Sequence, residues 1–533
     1  MKRFIKIFAT FSIAVCCLGS CDVLDIQNEN GLSTGMFWKT QDDINSGLNA
    51  VYAMFYRQGT WTRNIYTQLN GMADDGVSYA GWTELNEWTK FKYTNYNFAE
   101  GQVKMWREHW TAINRANQVL DHIDDSAISF DSEDTRLDMK AQALWLRAFY
   151  YYYMVAMWDN VPLILKTSSA SDKPSNLEGQ PEEQAKVVFT QLETDLLWAI
   201  EHLPLKREKD KARPTKGSAY GLLAKIYMQH KNWQEAQKCF EWIIEGEGKS
   251  IYSLESKWEN NFNCKTENNC ESLYEIQFSL CNYVGFDQTD NYLDANAQVG
   301  TQIEVNQSPK GLGWNNVESN RWIVDYFKRE KTVDGKNDPR LFYTCWYAQA
   351  EADFPEHPDQ LIYGKKWADY KYSATDNQRV FIKKYSTDVN PLYYWNDNNF
   401  RSIRLADMLL LYAECLNEIN NGPDAKAVGY VNKVRNRVGL PKIEDGTYYD
   451  ASKITSNYKD FKEHIKIERA LELAFECVRW IDLKRWGFDE ATLEEIKTRD
   501  VDFNNFTLGK NERMPLLQKD CDNNRNLHQN PKY

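Results

Sequence analysis

The stretch that decides the fold covers residues 217–244 and reads GSAYGLLAKIYMQHKNWQEAQKCFEWII. Small and apolar side chains recur in it at helical spacing, and the pattern restarts after Asn232. The residues that share a face are Leu223, Ala224 and Tyr227 in the first half and Ala236, Phe240 and Ile243 in the second. The sequence therefore predicts two short helices, 217–227 and 233–244, joined by a tight turn.

The small and aromatic positions of this helix pair follow the pattern of a tetratricopeptide (TPR) unit, whose period is about 34 residues. Tyr227 and Phe240 accompany the small residues Ala224 and Ala236 at the required spacing, and the same alanine separation recurs from Ala413. One such unit cannot bury its own apolar face, so further units are expected. A generic antiparallel helix pair is the alternative interpretation.

Helical periodicity elsewhere predicts further helices and a second TPR-like pair. The helices are 41–55, 103–123, 134–158, 181–203 and the long amphipathic helix 461–486, and the second pair is 401–418 with 424–438. The charged residues between 468 and 485 have helical spacing, which favours ion pairs with neighbouring helices or a solvated face over catalysis. We therefore predict a mainly α-helical scaffold.

Two long irregular regions, 56–100 and 251–397, interrupt the helices, with strands predicted at 273–279 and 380–385. Long loops inside a folded protein are usually functional. Both regions combine aromatic rings with amides, carboxylates or guanidinium groups, as sugar recognition requires. The candidate ligand-binding residues are Asp75, Tyr79, Trp82 and Trp88 in the first region and Tyr283, Trp314 and Arg321 in the second. The alternative for each ring is that it packs its loop against the body.

Composition argues against several function classes. The chain of 533 residues has a net charge of −12, which repels nucleic acid phosphates. No HExxH, no GxSxG and no metal-ligand spacing of Cys and His occurs, and GEGKS at 246–250 lacks the first Gly of a phosphate-binding loop. We expect that the protein binds no cofactor and no metal and is not an enzyme. With 76 acidic residues, the sequence leaves open a pair of carboxylates spaced as in a glycosidase.

The first residues predict export and lipid anchoring. Lys2, Arg3 and Lys6 give the N-terminus a positive charge. Residues 4–18 form a mostly apolar run that is short for a membrane span and is typical of a signal peptide. Leu-Gly-Ser-Cys at 18–21 is similar to a bacterial lipobox, so Cys21 is the predicted lipidation site and new N-terminus. An ordinary signal peptide followed by a chance Cys is the alternative.

Export also bears on the remaining cysteines, because disulfides form outside the cytoplasm. Cys264 and Cys270 flank an Asn-rich loop and either pair across it or stay free. Cys239, Cys415 and Cys477 lie on apolar helical faces and are expected to be small core residues.

Three segments resemble the SusD/RagB family of Bacteroidetes outer-membrane lipoproteins. They are ERALELAFECVRWIDLKRWG at 468–487, RLADMLLLYAECLNE at 404–418 and the closing QNPKY at 529–533. Cys477 and the segment MPLLQ at 514–518 depart from the family pattern. The resemblance implies four TPR-like helix pairs in an α-α superhelical scaffold, plus a loop-rich part with a few short strands. The four pairs would be 41–55 with 103–123, 134–158 with 181–203, 217–227 with 233–244, and 401–418 with 424–438.

The resemblance also implies a function. Family members cap a SusC-like TonB-dependent transporter at the cell surface and deliver glycan fragments, or sometimes peptides. We therefore expect a signal peptide at 1–20, a SusD-like N-terminal region at 21–250 and a RagB/SusD C-terminal region at 251–533. The expected protein is a lipid-anchored outer-membrane lipoprotein that binds oligosaccharide nutrients. A peptide-binding uptake lipoprotein and a surface glycoside hydrolase are the alternatives.

Overall fold

A computed structural model describes residues 37–78, 81–94, 100–169, 171–279, 300–357, 362–369, 377–387, 395–446 and 449–533. The long helices of the first half are α1 Gln41–Tyr52, α2 Asn64–Met72, α3 Thr83–Thr89, α4 Glu100–His122, α5 Glu133–Trp158, α6 Pro181–His202, α7 Lys216–Gln229 and α8 Trp233–Ile244. Four short helices follow, α9 Ile303–Gln307, α10 Arg321–Phe327, α11 Pro339–Thr344 and α12 Ala350–Asp353. The last third holds α13 Leu405–Asn420, α14 Ala425–Arg437, α15 Ala451–Ile454, α16 Tyr458–Glu472, α17 Arg479–Trp486, α18 Glu490–Lys497 and α19 Gln518–Asn523.

The four predicted helix pairs are confirmed. Helix α1 packs on α4, α5 on α6, α7 on α8 and α13 on α14, and α8 also packs on α13, so the third and fourth pairs are continuous. Small residues permit this close packing, as the TPR pattern requires. A Cβ on Gly221 would lie 2.8 Å from a methyl of Ile403, because α7 runs directly against a strand there.

The strands are short and antiparallel: β1 Gly76–Val77 with β3 Glu318–Ser319, β2 Ser272–Ile276 with β6 Phe400–Arg404, and β4 Cys345–Tyr347 with β5 Val380–Ile382. The predicted start of a helix at residue 401 is wrong, since residues 400–404 form β6 and α13 begins at Leu405. Strand pairing brings the guanidinium groups of Arg401 and Arg404 to the buried acids Glu275 and Glu271. That long-range charge pairing is invisible in local periodicity.

The predicted continuous helix 461–486 is also wrong, because α16 ends at Glu472 and α17 begins at Arg479. Between them Phe475 and Cys477 adopt positive φ angles of 60°, a conformation that ends a helix. The side chain of Asn70 in α2 forms hydrogen bonds with the backbone at this break. Its Nδ2 contacts the Phe475 carbonyl at 3.5 Å, and its Oδ1 accepts from the Cys477 amide at 3.1 Å.

The charged residues around this break form a buried ion network and not a solvated face. Glu472, fully buried, accepts hydrogen bonds from Arg404 (2.7 Å), from Arg340 (3.0 Å) and from Arg437. Burial acts to raise the pKa of Glu472, but the three guanidinium groups hold it well below the usual range. The network ties the C-terminal helices to β6 and to the short helix α11.

The closing QNPKY segment has a structural role. Asn530 donates to the carbonyls of Trp158 (2.8 Å) and Met514 (2.7 Å), so it ties the end of α5 to the returning chain. The Tyr533 hydroxyl lies 2.5 Å from that of Tyr93. The tail therefore closes the helical core rather than projecting from it.

The region 56–100, predicted as a loop, contains α2 and α3. Every residue of α2 is buried, including its polar residues Asn64, Thr67 and Gln68, so both faces of this helix pack inside the protein and neither faces solvent as in a surface helix. Cys264 and Cys270 are free, and the Cys264 thiol donates to Asp397 at 3.2 Å. Within the described ranges, the helices are all too short or too polar to cross a membrane.

Candidate functional site

Backbone hydrogen bonds join the two ring-rich regions. The amide of Gln302 donates to the carbonyl of Thr62 at 2.8 Å, immediately before Arg63 and α2. The amide of Asn320 donates to the carbonyl of Asp75 at 2.8 Å, where β1 pairs with β3. Segments more than 200 residues apart in sequence are therefore held side by side, and the loops that they carry lie next to each other.

At this junction Trp82 and Trp314 contact one guanidinium group. The Cζ atom of Arg63 lies 4.1 Å from the ring centroid of Trp82 and 4.9 Å from that of Trp314. Both distances are within the range of a cation–π contact. We call this arrangement the indole–guanidinium stack (Trp82, Arg63 and Trp314); all three side chains are partly exposed.

Each member of the stack is fixed by its local backbone. Arg63 directly precedes α2, and Trp82 directly precedes α3. The amide of Trp314 donates to the carbonyl of Val305 in α9 at 2.7 Å. The three side chains thus come from the ends of anchored segments, which preorganises the stack.

Amide groups lie beside the Trp82 ring. A Cβ on Gly101 would be 3.5 Å from both the Trp82 ring and the Asn64 amide, so the backbone passes close to both. Asn64, Gln68 and Gln102 line a small hollow next to this ring. Gln102 donates to Gln68 at 2.8 Å, which orients the two amides. Flat rings beside oriented amides are the combination that sugar hydroxyls and C–H faces require.

Arg63 differs electrostatically from the network arginines. Burial lowers the pKa of Arg63 to about 10, and the charge of Glu100 opposes this shift. Its Nε atom is buried without a hydrogen-bond acceptor among the described residues. Sequence reasoning did not select Arg63. The available signal was a guanidinium inside the ring-rich run YRQGTWTRNIY at 56–66.

Two predicted ligand residues lie in the interior. Asp75 is 0% exposed, and Trp88 is 3% exposed and stacks on Tyr93 with centroids 4.0 Å apart. Burial raises the pKa of Asp75 to about 7, and the adjacent charge of Asp74 adds to the shift. Asp75 does not reach the surface to meet a ligand, whereas Trp88 lies at the bottom of the small hollow beside Trp82, where little of its ring is exposed.

Four predicted positions lie away from the stack or outside the described chain. Arg321 begins α10, where it donates to Asp325 (3.2 Å) and Gln349 (3.2 Å). These contacts hold it in its own helix and the following turn. Tyr79, Tyr283 and Cys21 lie outside the described residues.

A larger cleft lies elsewhere in the described part of the chain. It has a volume of about 700 Å³ and is bounded by α5, α6, α17 and the segment around Arg513. Its charged groups already pair within the chain: Lys484 with Asp159 (2.9 Å) and Arg513 with Asp159 (3.0 Å). It contains none of the predicted ligand residues, so the stack remains the better candidate.

Two family models match the chain. A model described as "SusD family" matches residues 271–533, and one described as "Starch-binding associating with outer membrane" matches residues 22–228. A relative from Formosa agariphila, SusD-like protein P2, is 26% identical over 502 residues, 91% of each chain.

Solved structures share the fold. A SusD superfamily protein from Bacteroides vulgatus superposes with a TM-score of 0.75 at 22% identity, covering 93% of this chain and 100% of that one. Surface glycan-binding protein A from Bacteroides thetaiotaomicron, solved in complex with laminarihexaose, gives a TM-score of 0.69 at 23% identity, covering 92% and 99%. Together with the two family matches and the helix pairs described above, these likenesses show that the chain belongs to the SusD family.

Proposed function

We propose that this protein binds oligosaccharides at the indole–guanidinium stack (Trp82, Arg63 and Trp314). The observation that carries the proposal is that two indoles from separate ring-rich regions contact one guanidinium at a partly exposed position. Indole faces stack on the C–H faces of pyranose rings, and the neighbouring amides can pair with hydroxyls. A structural relative solved with laminarihexaose supports glycan as the ligand class.

Calorimetric titration with a panel of neutral and charged oligosaccharides, including laminarihexaose, tests this proposal. Trp82→Ala and Trp314→Ala should each weaken binding about tenfold or more, since stacking contacts of this kind contribute on the order of 1 kcal/mol beyond buried area. Trp198→Ala is the matched control, because Trp198 is partly exposed on α6 and stacks on His202 instead. Equal losses in all three variants would count against the stack as the site.

The same titrations separate the alternatives. Binding of peptides with no response to any glycan would replace the substrate class with peptides. Release of reducing ends during incubation with those glycans would indicate a hydrolase. We expect binding without release, since the stack holds a cation and two rings rather than two facing carboxylates.

We also propose that the protein is anchored in the outer membrane through Cys21 and passes its ligand to a SusC-like TonB-dependent transporter. The lipobox-like segment 18–21 and the family model described as associating with the outer membrane support this assignment. Cys21→Ala should release the protein from outer-membrane fractions. Retention of that variant in the membrane would contradict lipid anchoring. Affinity purification of the wild type from outer membranes should recover a transporter of this class, and its absence would contradict the partnership.

A further inference from the structure

The guanidinium of Arg63 has no partner that satisfies its charge. Among the residues that the structure describes, no carboxylate lies within 4 Å of it and no group accepts a hydrogen bond from it; its Nε is buried without an acceptor. Burying the Arg63 Nε–H in this state is costly, because that donor forfeits its bond to water. The two indoles offset part of the cost through their π faces but provide no oxygen acceptor.

Other partly or fully buried arginines of the chain show the contrast. Arg147 forms a two-pronged pair with Asp195 at 2.8 Å for both bonds. Arg479 does the same with Asp74 at 2.6 and 2.9 Å. Buried Arg401 donates to the Asn398 side-chain oxygen and the Asn399 carbonyl instead. Each of these guanidinium groups meets oxygen acceptors within the chain, whereas none of the described residues accepts a hydrogen bond from Arg63.

The nearest acidic groups are directed elsewhere. Glu100 raises the pKa of Arg63 slightly through its charge, but its carboxylate pairs with Lys104 at 2.8 Å and is 70% exposed. The carboxylate of Glu84 accepts from the Glu100 backbone amide at 3.0 Å. Neither neutralises Arg63 by direct contact, and the Nη groups of Arg63 remain at the surface.

We propose that Arg63 is a specificity-determining residue that binds an anionic group, a carboxylate or a sulfate, carried by the sugar. This inference rests on the proposed glycan site and deepens it. The planar fork donates two parallel hydrogen bonds to such a group, and the flanking indoles hold the pyranose from which it projects. A carboxylate on C6 or a sulfate ester projects from the ring edge, so one residue of an acidic glycan can contact indole and guanidinium together.

The test compares charged oligosaccharides with neutral partners of the same shape. An oligogalacturonide is titrated beside its methyl ester, and a sulfated galactan oligosaccharide beside its desulfated form. The protein's net charge of −12 repels both charged oligosaccharides, so tighter binding of a charged form than of its neutral partner indicates a local cation. We expect the wild type to bind at least one charged form tenfold or more tightly than its neutral partner; which arm responds distinguishes carboxylate from sulfate.

Arg63→Met should reduce that preference to within about twofold; the readout is the ratio of charged to neutral affinity, whatever change in neutral affinity accompanies it. Arg63→Lys keeps the charge without the planar fork and should retain an intermediate preference. Arg107→Met is the matched control, because Arg107 is exposed on α4, outside the stack, and should leave the preference intact. Thermal unfolding of each variant verifies folding.

The outcomes separate this inference from the proposed function. Equal wild-type affinity for charged and neutral partners overturns the role of Arg63 alone, and so does a preference that survives Arg63→Met. Absence of binding to every glycan overturns the proposed function itself. If Arg63→Met fails to fold, the wild-type ratio and the Arg63→Lys variant still decide the outcome.

Discussion

The buried carboxyl of Asp75 predicts an unusual dependence of stability on pH. Asp75 is 0% exposed, and burial, aided by the charge of Asp74, raises its pKa to about 7. In the unfolded chain the same group ionises near 3.8. The folded protein therefore retains a proton that the unfolded chain releases, so rising pH favours the unfolded state. Asp75→Asn removes this titration and keeps the shape and neutrality of the protonated side chain.

The two pKa values set the magnitude. A difference between about 7 and 3.8 corresponds to at most about 4 kcal/mol at 1.36 kcal/mol per pH unit. The stabilisation of Asp75→Asn relative to wild type should be near zero below pH 4. It should grow by up to about 1.4 kcal/mol per pH unit between pH 4 and 7 and level off above pH 7.

Urea unfolding followed by tryptophan fluorescence at several pH values between 4.5 and 8.5 measures this difference. Asp74→Asn is the neighbouring control with the opposite sign. Burial acts to raise the pKa of Asp74, but Arg479 and Arg499 lower this pKa to about 2. The stability from Asp74 is therefore present above pH 4 and lost as pH falls toward 2, and its removal should cost about 3–5 kcal/mol at pH 7.

A flat, pH-independent difference between Asp75→Asn and wild type would refute the reasoning, and so would an Asp75→Asn variant that is less stable at pH 8. Glycan affinity gives a second readout. Because Asp75 does not reach the surface, Asp75→Asn should bind the same glycans with unchanged affinity.

Three further changes test the fold. Glu472→Gln should lower the free energy of unfolding by about 3–5 kcal/mol in urea titrations, because it leaves three buried arginines short of an anion; a loss below 1 kcal/mol would contradict the network. Gly76→Ala should cost about 1–3 kcal/mol, since its Cβ would lie 2.0 Å from the Asn70 carbonyl oxygen, and an unchanged melting temperature would contradict that contact. Asn530→Ala should lower the free energy of unfolding by about 2 kcal/mol, because it leaves the Trp158 and Met514 carbonyls without this donor. A lower melting temperature would show this loss.

The helical scaffold could be predicted from the sequence because most of its helices are amphipathic. Helices α7 and α8 match the predicted boundaries within a few residues, and all four pairs pack as expected. Periodicity failed where burial is complete on every side. In α2 the polar face formed by Asn64, Thr67 and Gln68 is buried like the apolar one. The apolar stripe of 461–486 continues across a backbone break that Asn70 stabilises from another helix.

The residues of the candidate site could be predicted from the sequence only in part. Ring-rich composition identified Trp82 and Trp314 separately, but it also selected Trp88 and Asp75, which are buried. Local sequence does not distinguish a ring that packs inward from one that reaches the surface, because both occur among the same amides and glycines.

The sequence by itself therefore determined the family, the helices and the two regions from which a site could be built, because helical periodicity and short sequence motifs are local patterns. Only the tertiary structure decided which side chains meet. Pairing of β1 with β3 and the bond from Gln302 to Thr62 cross more than 200 residues, and these contacts bring Arg63 between Trp82 and Trp314. That none of the described residues accepts a hydrogen bond from this guanidinium is a property of the assembled environment, and no local pattern encodes it.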